Sequence, residues 1–183
     1  SATGGSFLGF NAGLYTTTAA SSTFIGHAAG QGASGAVLTG SSNTAVGASA
    51  GLLLQGAAAS NTFIGALSGS AVTTASQNTY IGVQAGIRTT TGISNTSLGK
   101  DALFTSITGN YNLAVGEAAG YYNTGSGNIF IGARNNSGTY APAAAITSEN
   151  NRIVMGHTSV TNAYIQVDWT VVSDARDKMN FAE

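Results

Sequence analysis

Five tyrosines, Tyr15, Tyr111, Tyr121, Tyr122 and Tyr140, are the side chains best equipped for recognition in this chain, and Asp168, Asp174 and Asp177 are the acids that could act as a catalytic pair. Exposed tyrosine rings stack on sugars and anchor partner proteins, and they serve equally well as packing between subunits. Paired carboxylates cleave glycosidic bonds when both flank one groove. The body of the chain supplies only Asp101 and Glu117 to such a groove, so catalysis on a glycan is not expected. His27 and His157 occupy equivalent places in two sequence repeats, but that place also holds Phe10, Ala48, Ala66, Val83, Lys100, Glu117 and Ala133. It reads as a free outward position, and no metal or other cofactor is expected. The glycine-rich runs are not phosphate loops, because no Gly-Lys-Ser or Gly-Lys-Thr follows a strand and no helix start follows the glycines. Zero cysteines exclude disulfides and thiol chemistry.

The elements that must position these side chains are repeats. The pattern Asn-Thr-x-Ile-Gly-x-x-Ala-Gly recurs with its first glycine at Gly9, Gly26, Gly47, Gly65, Gly82, Gly99, Gly116, Gly132 and, more weakly, Gly156. The intervals are 17, 21, 18, 17, 17, 17, 16 and 24 residues, a fixed period in which longer members carry loop insertions such as Gln31 to Ser41. Just before the anchor stand Leu8, Ile25, Val46, Ile64, Ile81, Leu98, Val115, Ile131 and Met155, the column expected to face the core. Four before it stand Asn43, Asn61, Asn78, Asn95, Asn112 and Asn128, with Ser22 in the same place, a set that predicts a stacked amide ladder. Three after it the residue is small, and the next is usually glycine, which allows close backbone approach and a turn with positive φ.

Segments such as Thr62-Phe63-Ile64 are too short and too β-branched for helix, and each coil carries a second Thr-rich stretch, such as Tyr15 to Ala19 or Arg88 to Thr91. Two short strands per coil are therefore expected. The fold class is all-β, a solenoid-like parallel β-roll over residues 1–138 that stacks to about 40 Å. One coil orders 17 residues around few large apolar side chains, so it cannot stand alone, and the thin Ala- and Gly-rich section predicts an obligate homo-oligomer.

Charged residues make up 7% of the chain and the net charge is −1, leaving no basic patch for nucleic acid. The longest apolar runs, Leu52 to Leu54 and Ala141 to Ile146, fall far short of the roughly 20 residues of a membrane span. The chain opens inside a repeat, as a fragment cut from something longer is expected to do. The period breaks after Asn136, and a linker containing Pro142 leads into a β neck over 139–172. From Val160 to Trp169 the residues alternate as in a strand pair. Residues 173–183 then hold five of the chain's 13 Lys, Arg, Asp and Glu residues, which marks the start of another module.

That module carries a resemblance. Ser173-Asp174-Ala175-Arg176-Asp177-Lys178 is similar to the Ser-Asp-x-Arg-x-Lys opening of the intramolecular chaperone domain of peptidase S74 type, found at the C-terminus of phage tail fibres, tailspikes and related bacterial fibres. Asn151-Arg152-Ile153-Val154-Met155-Gly156 and Ala163-Tyr164-Ile165-Gln166 look like the family's approach to that domain. The Asn-Thr-x-Ile-Gly repeats also resemble the heads of trimeric autotransporter adhesins. The resemblance implies a homotrimer and an extracellular place on a virion tail fibre or a bacterial surface; the period fits strands kept within one chain or interwoven among three, and a roll through residue 138 followed by an interwoven β neck is the expectation. The resemblance also implies that Ser173 is an autocleavage nucleophile and Lys178 its activating base. Only the first strip of that domain is present, so no proteolysis by this chain is expected. Two readings follow: a fibre segment for adhesion or receptor recognition, with a glycan or surface receptor as partner, and a structural spacer with its binding tip elsewhere. The insertion Gln31 to Ser41 and the Tyr121-Tyr122 pair favour the first, and the uniform spacing from Gly47 to Gly132 favours the second.

Overall fold

A computed structural model of the protein describes residues 4–134 and 137–161. Nine three-residue strands form one parallel sheet: β1 Ser6–Leu8, β2 Thr23–Ile25, β3 Thr44–Val46, β4 Thr62–Ile64, β5 Thr79–Ile81, β6 Thr96–Leu98, β7 Leu113–Val115, β8 Ile129–Ile131 and β9 Ile153–Met155. They lie in sequence order, each in register with the next, so Phe63 pairs with Tyr80 and Tyr80 with Ser97. This is a parallel β-solenoid, and no helix occurs among the described residues.

Glycine at the anchor follows from the stacking. The anchors from Gly9 to Gly116 have φ between 116° and 144°, and a Cβ on Gly47 would lie 2.7 Å from the carbonyl carbon of Gly65 in the next coil. Any side chain there would push two coils apart. Each corner after the strand is turned by left-handed residues, such as Gln84 and Gly86 at φ 59° and 58°. The non-glycine residues in this conformation include Asn, Ser, Gln, Ala and Leu but no β-branched side chain, as the steric cost requires.

The asparagine column forms the ladder that its spacing predicts. Asn61 Nδ2 donates to Asn43 Oδ1 at 2.9 Å, Asn78 to Asn61 at 3.3 Å, Asn95 to Asn78 at 3.2 Å and Asn112 to Asn95 at 3.0 Å. Each of these amides also donates to a carbonyl across its own coil, as Asn78 does to Gly92 at 2.8 Å. Each Oδ1 accepts the backbone N–H of the next asparagine as well, so these buried amides satisfy one another and turn groups of their own and the next coil.

The core differs from the expectation. The aliphatic column before the anchor faces outward, with Leu8 70% exposed, Leu98 48% and Met155 54%. The inward position is the middle of each strand, where Phe24, Ala45, Phe63, Tyr80, Ser97, Ala114, Phe130 and Val154 are all buried. Period-two alternation in a three-residue strand sends one side chain in and two out, and the larger rings take the inner place. The second strand of each coil is also absent. Among the described residues the Thr-rich stretches join coil to coil through single backbone hydrogen bonds, as Thr73 N–H donates to Thr90 and Thr90 N–H to Ile107, and through isolated parallel bridges, Thr16 to Leu38 and Leu38 to Gly56, without forming a strand.

Within the stretch read as a neck, β9 extends the same sheet by pairing with β8, Ile131 opposite Met155. The rest of that stretch from residue 162, with most of Val160 to Trp169, and also Ser173 and Lys178, lies outside the described residues.

Candidate functional site

Two surface features stand out. The first is the outward aliphatic column, Leu8 through Met155, one side chain per coil along the whole sheet. Beside it runs a threonine column, Thr23, Thr44, Thr62, Thr79 and Thr96, which turns aliphatic at Leu113, Ile129 and Ile153. Ile153 is 65% exposed, so the apolar face broadens toward the C-terminal end of the stack.

The second is an aromatic cluster at the corner of the sixth to eighth coils. Phe104 lies flat on Tyr121, with centroids 4.6 Å apart, and the Arg88 guanidinium lies over the Phe104 ring at 5.8 Å. Tyr122 meets Tyr121 edge-on at 4.8 Å and Tyr140 edge-on at 5.3 Å. Tyr140 reaches the cluster because the chain doubles back after the eighth strand, making an antiparallel bridge between Arg134 and Tyr140. Burial raises the Tyr140 phenol above its ordinary range, with a further push from Tyr122.

Beneath these rings lies a cavity of about 230 Å³ lined by Asp101, Ala118, Tyr121, Tyr122, Arg134 and Tyr140. Its charges are paired: Lys100 stands 3.3 Å from Asp101 and 3.6 Å from Glu117, and Arg134 Nε stands 3.1 Å from Glu117. Asp101 is 8% exposed, and its Oδ1 is buried with no hydrogen-bond partner among the described residues. Arg134 Nε lies at ion-pair distance from Glu117 but is not aligned for a hydrogen bond, and its NH1 donates to the Gly138 carbonyl at 2.6 Å. Such unpartnered buried polar atoms are uncommon and call for an explanation.

Of the five tyrosines singled out in the sequence, Tyr121, Tyr122 and Tyr140 come together. Tyr111 stands apart and 65% exposed, held at φ 58° beside the asparagine ladder, and Tyr15 belongs to an N-terminal coil. Asp101 and Arg134 were not expected at a site, since neither motif nor spacing marks them. His27 is exposed and stacks on Phe10 at 5.8 Å, while His157 Nδ1 accepts the Ser159 N–H at 3.2 Å. No family model, curated protein or solved structure matches this chain.

Proposed function

We propose that the chain is a segment of a homotrimeric extracellular fibre, on a virion tail or a bacterial surface, that presents its coil corners for adhesion or receptor recognition. The observation that carries this reading is the exposed aliphatic column. Side chains such as Leu8, Ile64, Leu98 and Met155 repeat at every level of the stack and stay in contact with water in the isolated chain. A continuous apolar stripe of this kind is a feature of surfaces that other chains cover. Copies of the same chain suit it best, because their stripes have the same spacing of about 4.8 Å per level. A stripe one residue wide fits a three-fold axis parallel to the stack, where three columns meet at each level.

The aromatic corner supports recognition over a plain spacer, since it places tyrosine rings at the surface of the otherwise regular coils beside a buried Asp101 oxygen that lacks a hydrogen bond. The sequence at Ser173 to Lys178 supports a C-terminal chaperone that aids trimerisation and then cleaves itself away. Light scattering on the purified chain tests the assembly. A mass of about 54 kDa, three times 18.1 kDa, is the expected result, and a folded monomer overturns it.

A further inference from the structure

We infer that the cavity under Tyr121, Tyr122 and Tyr140 binds the ring of one neutral pyranose, a reading that rests on the recognition role proposed above and gives it a ligand class. Four observations converge. Tyr122 is 52% exposed and offers an aromatic surface at the cavity mouth, the kind of face on which the C–H side of a sugar ring packs. Asp101 lines the cavity with a buried oxygen that no described residue satisfies, and a sugar hydroxyl is a donor that can satisfy it. Arg134 in the same wall is held by Glu117 at 3.1 Å and by the Gly138 carbonyl, which leaves the Asp101 oxygen as the open polar group of the cavity. The volume of about 230 Å³ is below the roughly 300–1,000 Å³ of sites for larger ligands, which suits a single ring rather than a chain of them.

The charge pattern selects against ionic ligands. Lys100 and Arg134 are balanced by Asp101 and Glu117, all within 3.6 Å of an opposite charge, so the wall has no net charge to spend on an anion. A quaternary ammonium requires rings spread around it, each centroid within about 6 Å of the cation. Here the three tyrosines contact one another, with centroids 4.8, 5.3 and 6.0 Å apart, and leave no cage between them. Arg134 in the same wall opposes a cation further.

Saturation-transfer NMR on the whole chain with the methyl glycosides of glucose, galactose, mannose and N-acetylglucosamine tests the site, with choline as the cationic probe. Transfer to at least one glycoside is expected, with affinity falling at least about tenfold in Asp101→Asn and in Tyr122→Ala, the scale of one lost charge-assisted hydrogen bond. Tyr111→Ala, remote from the cavity, should bind like the parent. Absence of transfer to every glycoside, unchanged binding in both cavity variants, or binding of choline alone each overturns the inference. Light scattering of the same samples separates the two readings. A trimer that binds no glycoside removes the saccharide site and leaves the fibre, whereas a monomer that binds one removes the fibre and leaves the site. Asp101→Asn keeps the side-chain shape, and circular dichroism of each variant shows whether lost binding reflects lost fold.

Discussion

A side chain on Gly69 would begin 2.7 Å from the ring of Phe63, six residues earlier in the same coil. Phe24 and Gly30 stand in the same relation at 2.6 Å, so the aromatic in the strand and the glycine at the corner share one space. The sixth coil inverts the pair. Ser97 replaces the aromatic, and Leu103, fully buried at φ 52°, replaces the glycine. Gly69→Ala, at φ 56° and against the ring, is expected to lower stability by about 2–4 kcal/mol in chemical denaturation. Ser97→Phe alone should destabilise by crowding, and Leu103→Gly alone by leaving a hole. The double variant should recover at least about 1 kcal/mol over the sum of the two, and strict additivity would refute the shared space.

Asn78 is tied on every side. It donates to Asn61 and Gly92, and its Oδ1 accepts both the backbone and side-chain N–H of Asn95. Asn78→Ala strands those partners in a buried layer and is expected to cost about 3 kcal/mol or more, read as a lowered denaturation midpoint. A loss below about 1 kcal/mol would show that water enters the ladder and replaces the amide.

Tyr80 gives the alkaline limit. Its ring is fully buried, its hydroxyl lies 3.1 Å from Thr89 Oγ1 and 3.2 Å from Asn78 Oδ1, and desolvation raises its pKa well above the ordinary 10.0. The folded chain therefore holds this proton more tightly than the unfolded chain does. The contribution to stability is complete below pH 10 and declines as pH rises past it, by about 1.4 kcal/mol per pH unit. Denaturation midpoints from pH 8 to 11.5 should show this slope in the parent and a shallower one in Tyr80→Phe; equal slopes would place the titration elsewhere.

The outward column offers the cleanest test of assembly. Leu98→Lys introduces a charge at a position that is 48% exposed in the single chain, so the fold of one copy should survive within about 0.5 kcal/mol. Three lysines meeting on an axis would repel, and the mass is expected to fall toward 18.1 kDa. A mass unchanged by Leu98→Lys and by Ile64→Lys would move the contact surface off this column.

Much of the fold was legible in the sequence because stacking imposes identity on columns. The asparagines recur since each amide must meet the next, and the anchor glycines recur since Gly47 and Gly65 have no room for a Cβ. The inner column was misread for a related reason. Leu, Ile, Val and Met before the anchor looked more like a core than Phe63, Tyr80, Ser97 and Ala114, whose volumes vary. In the sixth coil Leu103 compensates at the corner, whereas Ala45 and Ala114 keep Gly51 and Gly120 at theirs, and rings of the following strands, Phe63 and Phe130, approach those corners. The aromatic corner was half legible. Tyr121 and Tyr122 mark themselves by adjacency, but Tyr140 arrives through a chain reversal, and Asp101 matters only because its Oδ1 is left without a partner.

The amide ladder has a direction and two distinct ends. Its first full rung rests on Ser22, whose hydroxyl accepts the Asn43 N–H at 3.2 Å, and at the far end Asn128 Oδ1 accepts the Arg152 N–H at 2.8 Å. Between them any rung can follow any other, since each presents the same acceptor upward and the same donor downward. Such a stack behaves as a counter. Gene duplication or loss can lengthen or shorten it by whole coils while both terminators keep their roles, and loops between rungs absorb changes of a few residues, since the amide bond forms across 18 residues from Asn43 to Asn61 and across 17 from Asn61 to Asn78. Length in this architecture is therefore quantised, and variants of the protein should differ in height by integral steps.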